Sequence, residues 1–151
     1  MDDIVFGSTN DTLAKSFAEE MKKIFEMSMV GELTYFLGLQ MKQTNKGIYI
    51  NQANYAGNLV KRFGLENAPY ARTPMATNTK LGIDPPVQPV DITLYRSMIG
   101  CLLYLTTSRS NISSSVDVCA RFQANPKMTH LTVVKTIIKY VSGTCDFWFV
   151  L

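Results

Sequence analysis

LTYFLGLQMKQTNKGIYIN, residues Leu33–Asn51, decides the fold class. It reads as two strands, Leu33–Thr44 and Gly47–Asn51, joined at Asn45-Lys46-Gly47, where Asn and Gly tolerate positive φ and so signal a hairpin. The flanking sequence has a different period. Upstream, Leu13, Phe17, Met21, Ile24 and Phe25 recur at three- and four-residue steps, which predicts one apolar face of a helix from about Asp11 to Met27. Lys15, Glu19, Lys22, Lys23 and Glu26 fall off that face. Ile4–Phe6 read as a short strand, and Gly7–Asn10 supply turn chemistry and N-cap candidates. Downstream, Tyr55, Ala56, Leu59, Val60 and Phe63 predict a compact amphipathic helix that Gly64 closes. A hairpin set between helices makes the chain α+β.

From Glu66 to Val90 there are five prolines and no periodicity, so this stretch reads as an extended connector and a candidate subdomain boundary. Beyond it the pattern is helical to Gly143. Asp91 is placed to cap a helix with Tyr95, Met98, Ile99, Leu102, Leu103 and Leu105 on its apolar face. A second helix spans about Asn111 to Phe122, with Ile112, Val116, Cys119 and Ala120 inward, and ends before Pro126. Thr129 is a cap candidate for a third, with Leu131, Val134, Ile138 and Val141 inward. This last segment is rich in β-branched residues, so a strand is an alternative, but its length and caps favour helix. Phe147–Leu151 read as an apolar strand with no following partner, an open edge and hence a route to self-association.

With 151 residues and 46% hydrophobic content the chain has material for a single core. The net charge is only +3, and the basic excess lies wholly in residues 85–151, where Arg96, Arg109, Arg121, Lys127, Lys135 and Lys139 face Asp91, Asp117 and Asp146. Such a surface suits contact with a phosphate backbone, or is simply solvated. Cys101, Cys119 and Cys145 are odd in number and widely spaced, and His130 is the single histidine, which argues against a zinc site. Two of the cysteines sit in apolar helical contexts and read as small buried hydrophobes of a protein in a reducing compartment. The N-terminus lacks a signal pattern, and the longest apolar run, Met98–Leu105, is too short to cross a bilayer, so the chain is expected to be soluble. Asp2 and Asp3 precede the apolar Ile4-Val5-Phe6 run. Two carboxylates that close oppose each other's ionisation, and a hard divalent cation relieves the conflict; the alternative is a solvated acid pair.

Several blocks occur in order: MDDIVFGSTN (1–10), FEMSMVGELTYFLGLQMKQTNKGIYINQANY (25–55), RTPMATNTKL (72–81), LYRSMIGCLLYLTTSRSNI (94–112) and CARFQANPKMTHLTVVKTIIKYVSGT (119–144). Together they closely resemble the reverse transcriptase of copia-type LTR retrotransposons, over essentially the whole chain. The resemblance implies a partial polymerase palm with a primer-grip-like hairpin (1–65), a proline-rich connector (66–90) and a helical thumb or connection region (91–151). It aligns Asp2 and Asp3 with the catalytic, metal-binding aspartates of the family's Tyr-x-Asp-Asp hairpin, whose cofactor is Mg²⁺ or Mn²⁺. It likens Phe36-Leu37-Gly38, with Tyr35, to the hairpin that grips the primer terminus; alternatively Tyr35, Leu37 and Leu39 are the buried face of a strand. It lays Arg96, Arg109, Arg121, Lys135 and Lys139 in the region that covers an RNA/DNA primer-template.

There are departures. Ser110-Asn111-Ile112 stands where the family usually has Pro-Asp-Ile, with Asn111 still a competent cap, and Pro69-Tyr70-Ala71 departs from a cysteine-containing pattern. The family's fingers, upstream catalytic carboxylate and ribonuclease H domain have no counterpart in these residues. The expectation is therefore a polymerase segment inactive in isolation, with weak or no metal binding, or a non-catalytic remnant that binds nucleic acid or protein.

Overall fold

The computed structural model describes residues 4–77, 79, 81 and 90–150. In chain order the elements are α1 (Asp11–Ile24), β1 (Tyr35–Phe36), β2 (Leu39–Thr44), β3 (Gly47–Asn51), α2 (Ala53–Arg62), α3 (Ile92–Leu105), α4 (Ser110–Ala120), α5 (Met128–Ser142) and β4 (Phe149–Val150). The α+β class is as expected. The four strands form one antiparallel sheet in the order β1-β2-β3-β4.

The core is helical. Ala56, Leu59 and Val60 of α2 join Tyr95, Met98, Ile99, Leu102 and Leu105 of α3 in one buried cluster. Ile112, Val116 and Cys119 of α4 and Leu131, Val134, Ile137, Ile138 and Val141 of α5 complete it. Each set recurs at three- and four-residue steps, so every helix offers one stripe to the others. Burying an aliphatic side chain of this kind stabilises by about 1.5–3 kcal/mol, which outweighs the modest helix propensity of the β-branched residues in α5. Asp91 caps α3, its Oδ1 accepting from the N–H groups of Thr93 (2.8 Å) and Leu94 (3.1 Å). Asn10 caps α1 by accepting from Thr12 N–H at 2.9 Å. Gly64 takes φ 65° directly after α2, as a helix-ending glycine does.

Several expectations need correction. Ile4–Phe6 form no strand; they are exposed, and Phe6 packs on Phe17 with ring centroids 4.8 Å apart. The helix predicted to Met27 stops at Ile24, and its apolar stripe is not buried: Leu13, Phe17, Ile24 and Phe25 are all exposed, while Ala18 is buried. The predicted strand Leu33–Thr44 is broken by a turn at Leu37-Gly38, which makes β1 and β2 a second hairpin. At the other turn Thr44 pairs with Gly47, and among its residues Gly47 alone has positive φ, at 142°.

Leu103 points outward from α3 because it lies about a third of a turn from the buried stripe. Asn111 and Thr129 sit inside α4 and α5 instead of capping them: the helices begin one residue earlier, after Arg109 and Lys127. Asn111 Nδ2 donates instead to Tyr140 Oη at 2.9 Å. The last strand is shorter than Phe147–Leu151 and lies at the edge of the sheet, paired on one side. Phe149 and Val150 pair with Ile50 and Tyr49 of β3, and Asn51 Nδ2 donates to the Phe147 carbonyl at 2.9 Å beside them. Leu151 lies outside the described residues.

Candidate functional site

The Leu37-Gly38 turn has an unusual backbone. Leu37 has φ 48° and Gly38 φ 81°, the pattern of a two-residue type I′ hairpin turn. Glycine adopts such angles freely, but a leucine there is strained by roughly 1–2 kcal/mol. Strain of this kind persists where neighbouring structure fixes it, and it concentrates at sites that bind. The turn also settles which way the side chains point. Tyr35 is 57% exposed and Leu37 73%, so the reading of Tyr35, Leu37 and Leu39 as one buried face fails. Phe36 is half-buried across from Leu39.

The turn rests on the end of α3. Tyr104 Oη donates to the Leu37 carbonyl, and the Tyr104 ring meets Tyr55 of α2 edge-on, with centroids 4.6 Å apart. Tyr55 Oη in turn donates to the Cys101 carbonyl at 3.3 Å; burial, and then the nearby Cys101 side chain, push its phenol well above the ordinary range. Gln52, at the start of α2, donates from Nε2 to the Tyr104 carbonyl at 3.5 Å and accepts from Ser108 Oγ at 2.6 Å. Gln52 and Ser108 are both buried, so their pairing satisfies groups that water does not reach. Tyr104, Gln52 and Ser108 were not among the sequence candidates. No spacing links residue 52 to residue 108, and Tyr104 reads as one more apolar residue of α3.

The five basic candidates fall into two kinds. Arg96 and Arg121 are exposed, and Arg96 Nε donates to the Gln123 carbonyl at 3.0 Å, which holds its guanidinium at the α4–α5 junction. Lys135 and Lys139 are partly exposed on α5. Arg109 is different: it is 1% exposed, and its guanidinium donates to Thr144 Oγ1 (2.9 Å), Thr144 O (2.5 Å) and Cys145 O (3.0 Å). It also lies 5.8 Å from the centroid of the Phe147 ring. Burial lowers its pKa from the ordinary arginine value, while Cys145, Tyr140 and Asp146 act in the opposite sense. The fork thus ties the start of α4 to the turn after α5 and is spent inside the protein, which removes it from any surface that meets phosphate.

Asp2 and Asp3 lie outside the described residues. Among the described residues no group of three or more His, Cys, Asp or Glu side chains gathers as metal ligands would. None of the described helices is long and apolar enough to cross a membrane. Cys101, Cys119 and Cys145 are free thiols.

The family model described as reverse transcriptase (RNA-dependent DNA polymerase) matches residues 1–77, which include the hairpin just described. The retrovirus-related Pol polyprotein from transposon RE1 of Arabidopsis thaliana is 32% identical over 144 residues, covering 95% of this chain and 10% of that polyprotein. The corresponding polyprotein from transposon TNT 1-94 of Nicotiana tabacum is 28% identical over 95% of the chain and 12% of its own length. An uncharacterized mitochondrial protein of Arabidopsis thaliana is 28% identical over 95% of the chain and 60% of its own length. The chain thus spans about a tenth of the plant polyproteins it matches. No solved structure matches it.

Proposed function

We propose, from the premise that this chain belongs to the reverse transcriptase (RNA-dependent DNA polymerase) family, that it forms the primer-holding part of a copia-type retrotransposon polymerase. In this reading residues 1–65 are the end of the palm and 91–151 are thumb or connection. The reaction of the whole enzyme is transfer of a deoxynucleotide from its triphosphate to a primer 3′ hydroxyl on an RNA or DNA template. The observation that carries the reading is the Leu37-Gly38 turn: a strained, solvent-facing tip with Tyr35 and Leu37 displayed, backed by helices.

The chemistry of the tip fits a primer strand. The aromatic edge of Tyr35 offers a sequence-tolerant surface to a base or sugar, and Leu37 an apolar one beside it. Arg96, Arg121, Lys135 and Lys139 supply phosphate neutralisation away from the tip. Arg109 serves the fold. Asp2 and Asp3 would hold Mg²⁺ or Mn²⁺, which in this family activates the attacking hydroxyl and steadies the leaving oxygen. In this reading the third metal-binding carboxylate belongs to another part of the polymerase, and these residues by themselves are expected to bind a primer-template without extending it.

The test is anisotropy with a fluorescein-labelled RNA/DNA hybrid across a salt series, together with a primer-extension assay. Binding that falls steeply with salt and weakens in Leu37→Asp and in Arg121→Glu supports the reading. Absence of binding at low salt refutes it. Extension that disappears in Asp2→Asn/Asp3→Asn would show instead that the chain is itself a polymerase.

A further inference from the structure

The β2 arm of the β1–β2 hairpin is held in the sheet by five pairings with β3. The β1 arm has less: Tyr35 pairs with Gln40 and Phe36 with Leu39, the Met41 N–H donates to the Thr34 carbonyl at 2.8 Å, and a strained residue sits at the tip. So short an arm has little stability of its own. Contacts with the helices add to what holds the tip. The hydrogen bond from the helices to the turn is that from Tyr104 Oη to the Leu37 carbonyl. Tyr104 is itself braced, by the Tyr55 ring and by the buried Gln52–Ser108 pair that reaches its carbonyl.

Residue 38 is matched to this contact. A Cβ built on Gly38 would lie 2.5 Å from Tyr104 Oη, well inside contact distance, whereas the next nearest atom of the ring is at 3.5 Å. Glycine is thus required twice, by the positive φ and by the closeness of the hydroxyl. Such an approach lets the hydroxyl reach the carbonyl that precedes Gly38.

We infer that Tyr104 is a positioning residue: its hydroxyl locks the Leu37-Gly38 turn to the end of α3, so that the tip and the helical core present themselves to the primer strand as one rigid surface. The inference rests on the reading of the hairpin as a primer grip, and it adds a residue that touches no nucleic acid yet sets where the grip sits.

Hydrogen exchange of the 151-residue chain separates the two ideas. In Tyr104→Phe the ring remains against Tyr55 and the clamp is lost. Exchange across residues 33–42 is then expected to quicken roughly five- to tenfold, the effect of losing one such bond, with α3–α5 unchanged. Affinity for the labelled RNA/DNA hybrid should fall severalfold. Gly38→Ala alone should weaken hybrid binding, and adding Tyr104→Phe should restore part of the loss, because the hydroxyl that meets the new methyl is gone.

Unchanged exchange at 33–42 in Tyr104→Phe overturns the inference and leaves the proposed function standing. So does a Gly38→Ala defect no milder in the Tyr104→Phe background. Faster exchange with unaltered hybrid affinity overturns the grip reading instead, and the positioning role with it, while the clamp itself would be verified.

Discussion

Arg109→Met is the sharpest perturbation of the fold, because a buried cation here is held without a carboxylate. Its three donated bonds join the start of α4 to Thr144 and Cys145 after α5, and its Nε finds no partner among the described residues. Charge-assisted bonds contribute about 1.5–3 kcal/mol each, but taking a guanidinium out of water costs several kcal/mol, so the intact arrangement is only modestly favourable. The variant fares worse than that balance suggests. Thr144 Oγ1 keeps its own bond to the Tyr140 carbonyl at 2.9 Å, and the Thr144 carbonyl still accepts from the Phe147 N–H at 3.3 Å, but the Cys145 carbonyl loses the donor that Arg109 supplied. One unsatisfied carbonyl and the lost tie between α4 and the turn after α5, less the recovered desolvation of the charge, leave a net loss of about 1–2 kcal/mol. For a chain of this size that lowers the melting temperature by roughly 5 °C. Thermal and urea unfolding followed by circular dichroism measure it, and Arg109→Lys should fall between, since it restores the charge without the fork. A Met variant within about 0.5 kcal/mol of the parent would refute the structural role. So would a stable Met variant that has lost hybrid binding, which would return Arg109 to the nucleic-acid surface.

Two further predictions concern the α3–α4 contact. Tyr95 Oη donates to the Cys119 carbonyl at 2.8 Å in the core, where that carbonyl also accepts from the Phe122 N–H at 3.1 Å, so Tyr95→Phe should cost about 1 kcal/mol in urea unfolding; a neutral result would refute a stabilising role for the hydroxyl. Burial pushes the Cys119 thiol up to about 11. With the folded value above the unfolded one, the stability this thiol contributes is complete below about pH 9 and is lost as pH rises toward 11, at most about 2–3 kcal/mol. Urea midpoints at pH 8 and 10.5 should therefore drop further in the parent than in Cys119→Ala, and parallel drops would refute the assignment.

What was legible in the sequence is what period and caps encode. Asp91 and the three- and four-residue steps of Tyr95, Met98, Ile99 and Leu102 gave the start and most of the buried face of α3, and Gly64 ended α2. The β-branched run of α5 was ambiguous in isolation, and packing against α2, α3 and α4 resolves it as helix. The turn at Leu37 was not legible, because leucine carries no turn signal and its positive φ belongs to a tight two-residue hairpin turn whose carbonyl meets Tyr104, a residue 67 positions away. The exposed stripe of α1 shows the converse: periodicity reports that a face is apolar, and is silent on what covers it. Arg109 was misjudged for a similar reason. A cation at a helix start reads as solvated, and the carbonyls that accept from it belong to a distant turn. The family was legible in blocks of sequence, whereas Asp2 and Asp3, its chemical emblem, lie outside the described residues.

The pairing of β4 with β3 closes the longest loop among the described strand pairings, joining Tyr49 to Val150 across α2 through α5. Its two residues per strand repay little of the entropy lost in closing such a loop, whereas α3, α4 and α5 assemble through short connections. On renaturation the strand should therefore dock after the helices, and under thermal or mechanical load it should detach before them. The tail of the sequence then behaves as a latch whose release unzips one margin of the sheet and spares the interior.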